Sequence, residues 1–543
     1  MVRIEPAAHE ALADTRASGR RLMRIVIAWS LAWLAGCATL PDVSGRPAEH
    51  MRSPAHASPL GRLARSSVSD PTLSGFRLVS SGHVSLQMRL KLIEGAQSSI
   101  DLQAYQFKGD RSGRLMMGAL RDAAARGVRV RVLVDDLYTA GDDLLLLGLA
   151  AHEGVAVRLF NPFSFGRDSM ALRMVAALFG AERLHRRMHN KLMVVDGVLA
   201  MLGGRNIGDD YFDSEGDQVF YDFDVLVAGL VVPQLGVAFD PYWNSRYSHD
   251  VQAVLGEQDA GASLRAAFAR KLAEPCDEPT CPPPPSPPED ERLAWSAFAH
   301  ELDTQRVTMH LAPAVAAADP PDKVGGPDAA EPGVLPPGAD VRMRVAMAIR
   351  EAREELVIVS PYLVPGSEGI RALKAFRERG VRITLMTNSL SATDEPLVHV
   401  GYRRYRADIV REGVELYEWS PVQSGRVLRR LLGGKTVLRL HVKCALIDRR
   451  FVYLGSMNFD PRSRDYNTES GLMIYSPELA VEIRQLVERM TREGSHRVRL
   501  ASDGSLRWTY GDSDADQGYE PDTDFWSRFL LDLLSPFIPE QML

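Results

Sequence analysis

Two short stretches share one pattern of apolar and polar positions, and the rest of the chain is arranged around them. Residues 192–195 (LMVV) and 445–447 (ALI) are apolar enough for buried strands. Each is followed by a turn, at Asp196–Gly197 or Asp448–Arg449, and then by a second apolar run that leads into glycine. The pattern predicts the same hairpin twice, each ending in a glycine-rich corner. Before the first hairpin, 86–95 reads as a helix and 99–107 (SIDLQAYQF) alternates as a strand. Residues 113–126 are amphipathic and stop at Gly127, and 128–135 is a strand. After it, 221–228 (YDFDVLVA) is another strand. The plan then returns, with a helix over 343–355, a strand over 356–362, a helix over 367–380 and a strand over 381–387. The second hairpin and a strand over 467–475 follow. Strand–helix–strand order, duplicated, predicts an α/β protein of two pseudo-symmetric halves, each a mixed sheet flanked by helices.

Composition adds boundaries to this plan. A chain of 543 residues is long enough for two halves sharing a large core. The run 276–340 contains PPPPSPPEDE and GGPDAAEPGVLPPG, a composition that predicts a disordered or partly helical insert. Arg20, Arg21 and Arg24 precede an apolar run at 25–33 that is short for a membrane span and reads as a signal-peptide core. It ends in Leu34-Ala35-Gly36-Cys37, which resembles a bacterial lipobox and implies lipidation of Cys37. The division expected is a signal peptide over 1–36, a tether over 37–74, a first half over 75–260 and the insert over 276–340. A second half over 341–495 and a tail over 496–543 complete it, with the motifs inside 183–210 and 435–462. Ala38, where inner-membrane retention would favour aspartate, points to the periplasmic face of the outer membrane in a bacterial envelope. The apolar, aromatic end of the tail (522–543) is expected to dock as a helix on the body, with a membrane surface as the alternative. Pro536 and Pro539 would interrupt a long interfacial helix.

Net charge is −6, so the chain has no global basic field of the kind nucleic-acid binders carry, and no nucleic-acid partner is expected. Of four cysteines, Cys37 is assigned to lipid. Cys444 falls inside the second hairpin and is expected in the core. Cys276 and Cys281 fit a disulfide or free thiols equally.

The chemistry sits on the hairpins. The first copy reads HNKLMVVDGVLAMLGGRN and supplies His189, Lys191, Asp196, Gly203, Gly204 and Asn206. The second reads HVKCALIDRRFVYLGSMN and supplies His441, Lys443, Asp448, Gly455, Ser456 and Asn458. Alternate strand residues share a face, so each His is expected to project beside its Lys. Imidazole can attack phosphorus or donate a proton, lysine neutralises non-bridging oxygens, and backbone N–H groups with an Asn amide can meet an oxyanion. One copy gives half of a phosphodiester exchange. Two give a nucleophile and an acid.

These residues resemble the phospholipase D superfamily, whose paired HKD motifs they match. The phrases DLQAYQFKGDRSGRLM, GGRNIGDDYF, TNSLSATDEPLVHVGYRRYR and GSMNFDPRSRDYNTESGL are similar to bacterial cardiolipin synthases. The resemblance implies one shared site without metal or other cofactor. His189 is the implied nucleophile, forming a phosphohistidine, and His441 the acid. Lys191, Lys443, Asn206 and Asn458 stabilise charge. Glu469, and Asp222 in preference to Asp224, orient the imidazoles. Asp196 and Asp448 sit on turns and are expected to hold the hairpins. The implied activity is phosphatidyl transfer on glycerophospholipids, with phospholipase D-type hydrolysis as the alternative. A nuclease is disfavoured by the acidic balance, and a non-catalytic envelope scaffold by the intact motifs. Partners expected are the phospholipid substrate and the membrane, the latter through Cys37, with an envelope protein partner left open. Apolar residues beside Arg183, Arg186 and Arg187, and beside Arg426, Arg429, Arg430, Lys435 and Arg439, suit an anionic lipid surface or ordinary packed helices equally.

Overall fold

The computed structural model describes residues 40–164, 166–167, 169–173, 185–212, 218–256, 261–274, 289–325, 340–424, 437–511 and 516–535. The expected signal peptide, Cys37, Cys276, Cys281, Arg183, Arg426, Arg429, Arg430 and Lys435 lie outside the described residues.

Two mixed sheets carry the fold. The first runs His310–Ala312, Ser74–Val79, Asp224–Gly229, Leu199–Gly203, Leu192–Val195, Ser99–Ala104, Arg129–Asp135, Val155–Phe160, Ser248–Asp250. The second runs Ala314–Ala318, Ser470–Tyr475, Phe451–Gly455, Cys444–Ile447, Glu355–Val359, Arg382–Asn388, Glu415–Trp419, Ser495–Leu500, Leu506–Tyr510, Asp516–Gln517. In each, three adjacent strands pair in parallel and the motif hairpin joins them antiparallel. Parallel neighbours need a crossover, supplied by the helices Arg111–Ala125 and Gly366–Glu378. The first of these is capped by the Asp110 carboxylate, which accepts from the Gly113 amide at 3.0 Å.

The period-two pattern decides which core each side chain joins. Leu192 and Val194 from the first hairpin, and Cys444 and Leu446 from the second, lie in one buried cluster fed by both sheets. Met193 and Val195 turn to the outer core of the first half, and Ala445 and Ile447 to that of the second. The two sheets are thus packed face to face, burying on the order of 2 kcal/mol per large aliphatic side chain. Cys444 is buried, as expected, and burial pushes its thiol up to about 12.

Both hairpin turns use positive φ: 53° at Asp196 and 68° at Gly197, 51° at Asp448 and 54° at Arg449. This is the turn whose twist matches the flanking strands. The Asp196 carboxylate accepts from the amides of Gln97, Ser98 and Ser99, and Asp448 does the same for Arg353, Glu354 and Glu355. The motif aspartates therefore tie each hairpin to the start of the neighbouring central strand.

Several expectations are corrected. His189 to Lys191 and His441 to Lys443 are extended but precede the strands, which begin at Leu192 and Cys444. The strand expected over 221–228 breaks at Asp222 and Phe223 into Gln218–Tyr221 and Asp224–Gly229. The helix expected over 343–355 is Val341–Arg350, and Glu355 already opens a strand.

The stretch assigned to a tether is part of the body where described. Helix Pro59–Ser67 buries Leu60, Leu63 and Ala64, and Arg46 donates to the carbonyls of Ser248 and Ser245. Residues 289–325 of the insert are likewise ordered. Helix Glu289–Asp303 buries Phe298, His310–Ala312 pairs with Ser74–Val79, and Ala314–Ala318 pairs with Ser470–Tyr475. The prolines concentrate at 282–288 and 332–337, and averaging over the whole run hid two short edge strands, where neighbouring proline is tolerated. The boundary set at 495 cuts a strand, because Ser495–Leu500 and Leu506–Tyr510 extend the second sheet.

Candidate active site

The two halves exchange strands at the site. Val437–Leu440, leading into His441, pairs in parallel with Gln218–Tyr221, leading into Asp222. Met188, before His189, bridges in parallel to Thr468, before Glu469. The His441 amide donates to the Tyr221 carbonyl at 2.8 Å, and the His189 amide to the Thr468 carbonyl at 2.9 Å. This register sets each histidine beside the carboxylate of the other half. Nδ1 of His189 lies 2.9 Å from Glu469 Oε2, and Nδ1 of His441 lies 2.6 Å from Asp222 Oδ2. All four side chains are buried.

Glu469 and Asp222 are supported differently. Glu469 accepts from the Ser456 hydroxyl and, at 2.7 Å, from the Ser463 hydroxyl. Gly204 takes the place of Ser456 in the first half, and a Cβ there would stand 2.3 Å from the Asp222 carboxylate. The glycine is required by close approach. Gly203 and Gly455 are equally confined, against the carbonyls of Phe223 and Ser470. Asp224, the alternative to Asp222, is used up by Arg89 and Arg205 at 3.0 and 3.2 Å. Burial works to raise its pKa, but the two guanidinium groups outweigh burial and hold it below the usual carboxylate range.

The lysines face one another across the site. Lys191 Nζ donates to the His189 carbonyl at 2.8 Å and Lys443 Nζ to the His441 carbonyl at 2.6 Å, leaving ammonium protons for a ligand. Burial, then the charge of Lys443, pushes Lys191 well below its ordinary range. Burial brings Lys443 to about 8. Burial and the same two ammonium groups hold both imidazoles well below their ordinary value, and burial raises Asp222 and Glu469 to about 7. Crowded, desolvated cations are the arrangement an anionic phosphate relieves. The carboxamide oxygens of Asn206 and Asn458 are buried without a hydrogen-bond partner among the described residues, so each motif keeps its asparagine oxygen unused.

Every catalytic residue expected from the sequence therefore meets at one place. Asp196 and Asp448 do not; they sit at the far ends of the hairpin strands. The cations offered to a lipid surface are corrected where described. Arg187 is buried on Asp135 at 2.6 Å, Arg186 donates to the Lys323 carbonyl, and Arg439 donates to the Ala392 carbonyl.

Sequence reasoning missed several supports. Tyr105 stands edge-on to His189 at 4.7 Å between ring centroids, and Tyr211 edge-on to His441 at 5.2 Å. Tyr211 also accepts from the Asn206 amide at 2.7 Å. Asn388 brackets Leu440, bonding its amide and its carbonyl at 2.9 Å each, and so fixes the backbone before His441. Asp319, inside the insert, accepts from the Glu469 amide at 3.1 Å and from Lys323 at 2.7 Å. Tyr105, Tyr211 and Asn388 lie inside phrases that carry the family resemblance, which marked them without giving a role; Asp319 has no local signal, since it acts through a tertiary contact.

The comparisons agree with this geometry. The family model described as "Cardiolipin synthase, PLD-like domain" matches residues 90–229 and 345–491. The chain is similar to cardiolipin synthase C of Escherichia coli, at 36% identity over 82% of this chain and 91% of that protein. It is also similar to cardiolipin synthase B of the same organism, at 25% identity over 74% and 76%. Among solved structures, phosphatidylserine synthase of Haemophilus influenzae superposes with a TM-score of 0.53 at 14% identity, covering 86% of this chain and 95% of that one. That likeness concerns the fold.

Proposed function

Since the chain belongs to the PLD-like family of cardiolipin synthases, within the phospholipase D superfamily, we propose that it transfers a phosphatidyl group between alcohols through a phosphohistidine. The observation that carries this reading is the pair of crossed imidazole–carboxylate contacts, at 2.9 and 2.6 Å, above two buried lysines. With Nδ1–H donated to its carboxylate, each imidazole presents the Nε2 lone pair. His189 Nε2 attacks phosphorus, and the bond from phosphorus to the leaving alcohol oxygen breaks. His441, protonated once the anionic substrate is in place, gives that oxygen its proton. It then takes a proton from the acceptor hydroxyl as this attacks the phosphohistidine and frees His189. Lys191 and Lys443 hold the non-bridging oxygens throughout.

A phosphatidylglycerol hydroxyl as acceptor gives a phospholipid with two phosphates, a cardiolipin, the product that the names of the relatives state for them. The experiment offers purified enzyme a glycerophospholipid donor with and without phosphatidylglycerol or glycerol as acceptor. Diphosphatidyl product that depends on the acceptor supports transfer; phosphatidic acid alone, at the same rate with or without acceptor, overturns it.

The reading extends to place. The lipobox 34–37 supports a lipid-anchored enzyme on the periplasmic face of the outer membrane. Cys37→Ala is expected to abolish palmitate labelling and membrane retention, and equal labelling of variant and wild type would sink the anchor.

A further inference from the structure

The helix Phe525–Leu534 is turned the wrong way round for a helix that serves a core. At about 100° per residue, Phe525, Trp526, Phe529, Leu530 and Leu533 fall within an arc of about 140°. Their exposures are 63, 72, 48, 54 and 55%. The opposite side holds the body: Leu531 is buried with Leu390 and Val400, Asp532 meets Arg403 at 2.9 Å, and Arg404 donates to the Ser535 carbonyl at 2.7 Å. Over the described residues the docking expected from the sequence therefore occurs, through the narrow side that carries Leu531 and Asp532. The aromatic side faces out, its three rings in mutual contact at 5.6 to 6.1 Å.

Leu397 and Tyr519, each at least half exposed, widen the patch. Leu397 belongs to the helix Pro396–Arg403, which packs against Phe525–Leu534 and is about 12 Å long. That helix starts near the site: Asn388 holds the backbone before His441, and eight residues later the chain enters the helix at Pro396.

We infer that this aromatic face inserts into the surface of a phospholipid bilayer and sets the catalytic mouth against the lipids it acts on. The inference rests on the lipid substrate proposed above. Bulky aromatic and aliphatic side chains on one helical stripe suit the headgroup boundary, where rings are buried to a shallow depth. Charge around the stripe comes close to cancelling, three arginines (Arg403, Arg404 and Arg528) against two aspartates (Asp524 and Asp532), so apolar insertion carries most of the contact. A second copy is the weaker occupant. At about 200 Å² per large side chain the stripe, widened by Leu397 and Tyr519, exposes roughly 800 Å², about what one partner of a stable interface needs, so area alone is neutral and the aromatic make-up, suited to the headgroup boundary, favours the bilayer.

The test reconstitutes the full chain in phosphatidylcholine–phosphatidylglycerol vesicles with brominated acyl chains. Bromine is expected to quench tryptophan emission, with the quenched component lost in Trp526→Phe. The variant Trp526→Ser/Phe529→Ser is expected to lose roughly tenfold in rate on vesicle lipid and to keep its rate on a monomeric short-chain phospholipid. Equal quenching in wild type and Trp526→Phe, or an unchanged vesicle rate, overturns the inference. So does a wild-type dimer that the double variant converts to monomer in sedimentation, which assigns the face to a second copy. Quenching that appears only after truncation behind Ser535 overturns it too, by assigning the face to the last eight residues. If wild type turns over neither lipid, the proposed reaction fails, while the quenching still decides the inference.

Discussion

His189 and Glu469 are hydrogen bonded at 2.9 Å although 280 residues separate them, and the reciprocal contact joins His441 to Asp222. Neither half contains a complete imidazole–carboxylate pair. The halves are copies in fold and complements in chemistry.

Because both histidines serve one phosphate, their losses are expected to be strongly non-additive: the double alanine variant should be about as slow as the worse single variant. His441→Ala given a p-nitrophenyl phosphodiester, whose leaving group needs little protonation, should accumulate phosphohistidine and stall. Mass spectrometry locating the label on His189 supports the assigned roles. Label on His441 in His189→Ala reverses them, and about half the wild-type rate in each single variant would falsify the one-site scheme.

Gly204 and Ser456 occupy matching positions with opposite tolerances. Gly204→Ala places a Cβ within 2.3 Å of the Asp222 carboxylate and should displace it from His441, lowering kcat roughly 10²-fold or more. Ser456→Gly removes one of two hydroxyl contacts to Glu469 and should cost about tenfold. Steady-state rates on the same donor check the order; equal penalties would show that Asp222 can move aside freely.

Lys443 contributes to the alkaline limit, together with Lys191, which burial and the Lys443 charge hold well below its ordinary range. Burial lowers Lys443 to about 8 in the free enzyme, so it is charged below that pH and neutral above. kcat/KM is expected to fall as pH rises through about 8, and Lys443→Arg, which stays charged, should remove the part of that fall owed to Lys443 even if the rate at neutrality drops. His189, held below its ordinary value, keeps the acid limb below about pH 6.5. A profile flat from pH 7 to 10 would contradict the assignment.

Replacing 289–325 with a Gly/Ser linker should destabilise the protein rather than leave it untouched, since an edge strand of each sheet goes with it. Asp319→Ala alone should cost about 1–3 kcal/mol by stranding the Glu469 amide and Lys323, and should lower activity by shifting Glu469. Thermal unfolding gives the first effect and rates on a short-chain lipid the second.

What the chain revealed before folding follows from range. The hairpins were legible because a short apolar run followed by an Asp-led turn is local, and the His, Lys and Asn of each half because the motif repeats; Asp222 and Glu469, outside the motif, were reached only through the family resemblance. The break in the strand at Asp222 was not legible, since YDFDVLVA alternates without interruption; tertiary pairing of 218–221 with 437–440 bends it. Asp319 was hidden for a different reason. It lies in a proline-rich run, and nothing within ten residues marks it as the support of an acid 150 positions away.

The exchange of strands between the halves also sets a timetable. A chain emerging in order from its N-terminus carries His189 early, yet its carboxylate is not made until residue 469. Asp222 likewise waits for His441. No shortened product ending before 441 holds even one finished pair, and none ending before 469 holds both. The site is thereby silent until the chain is nearly whole, and a proteolytic nick that released either half would switch it off rather than leave a fragment with half of the chemistry.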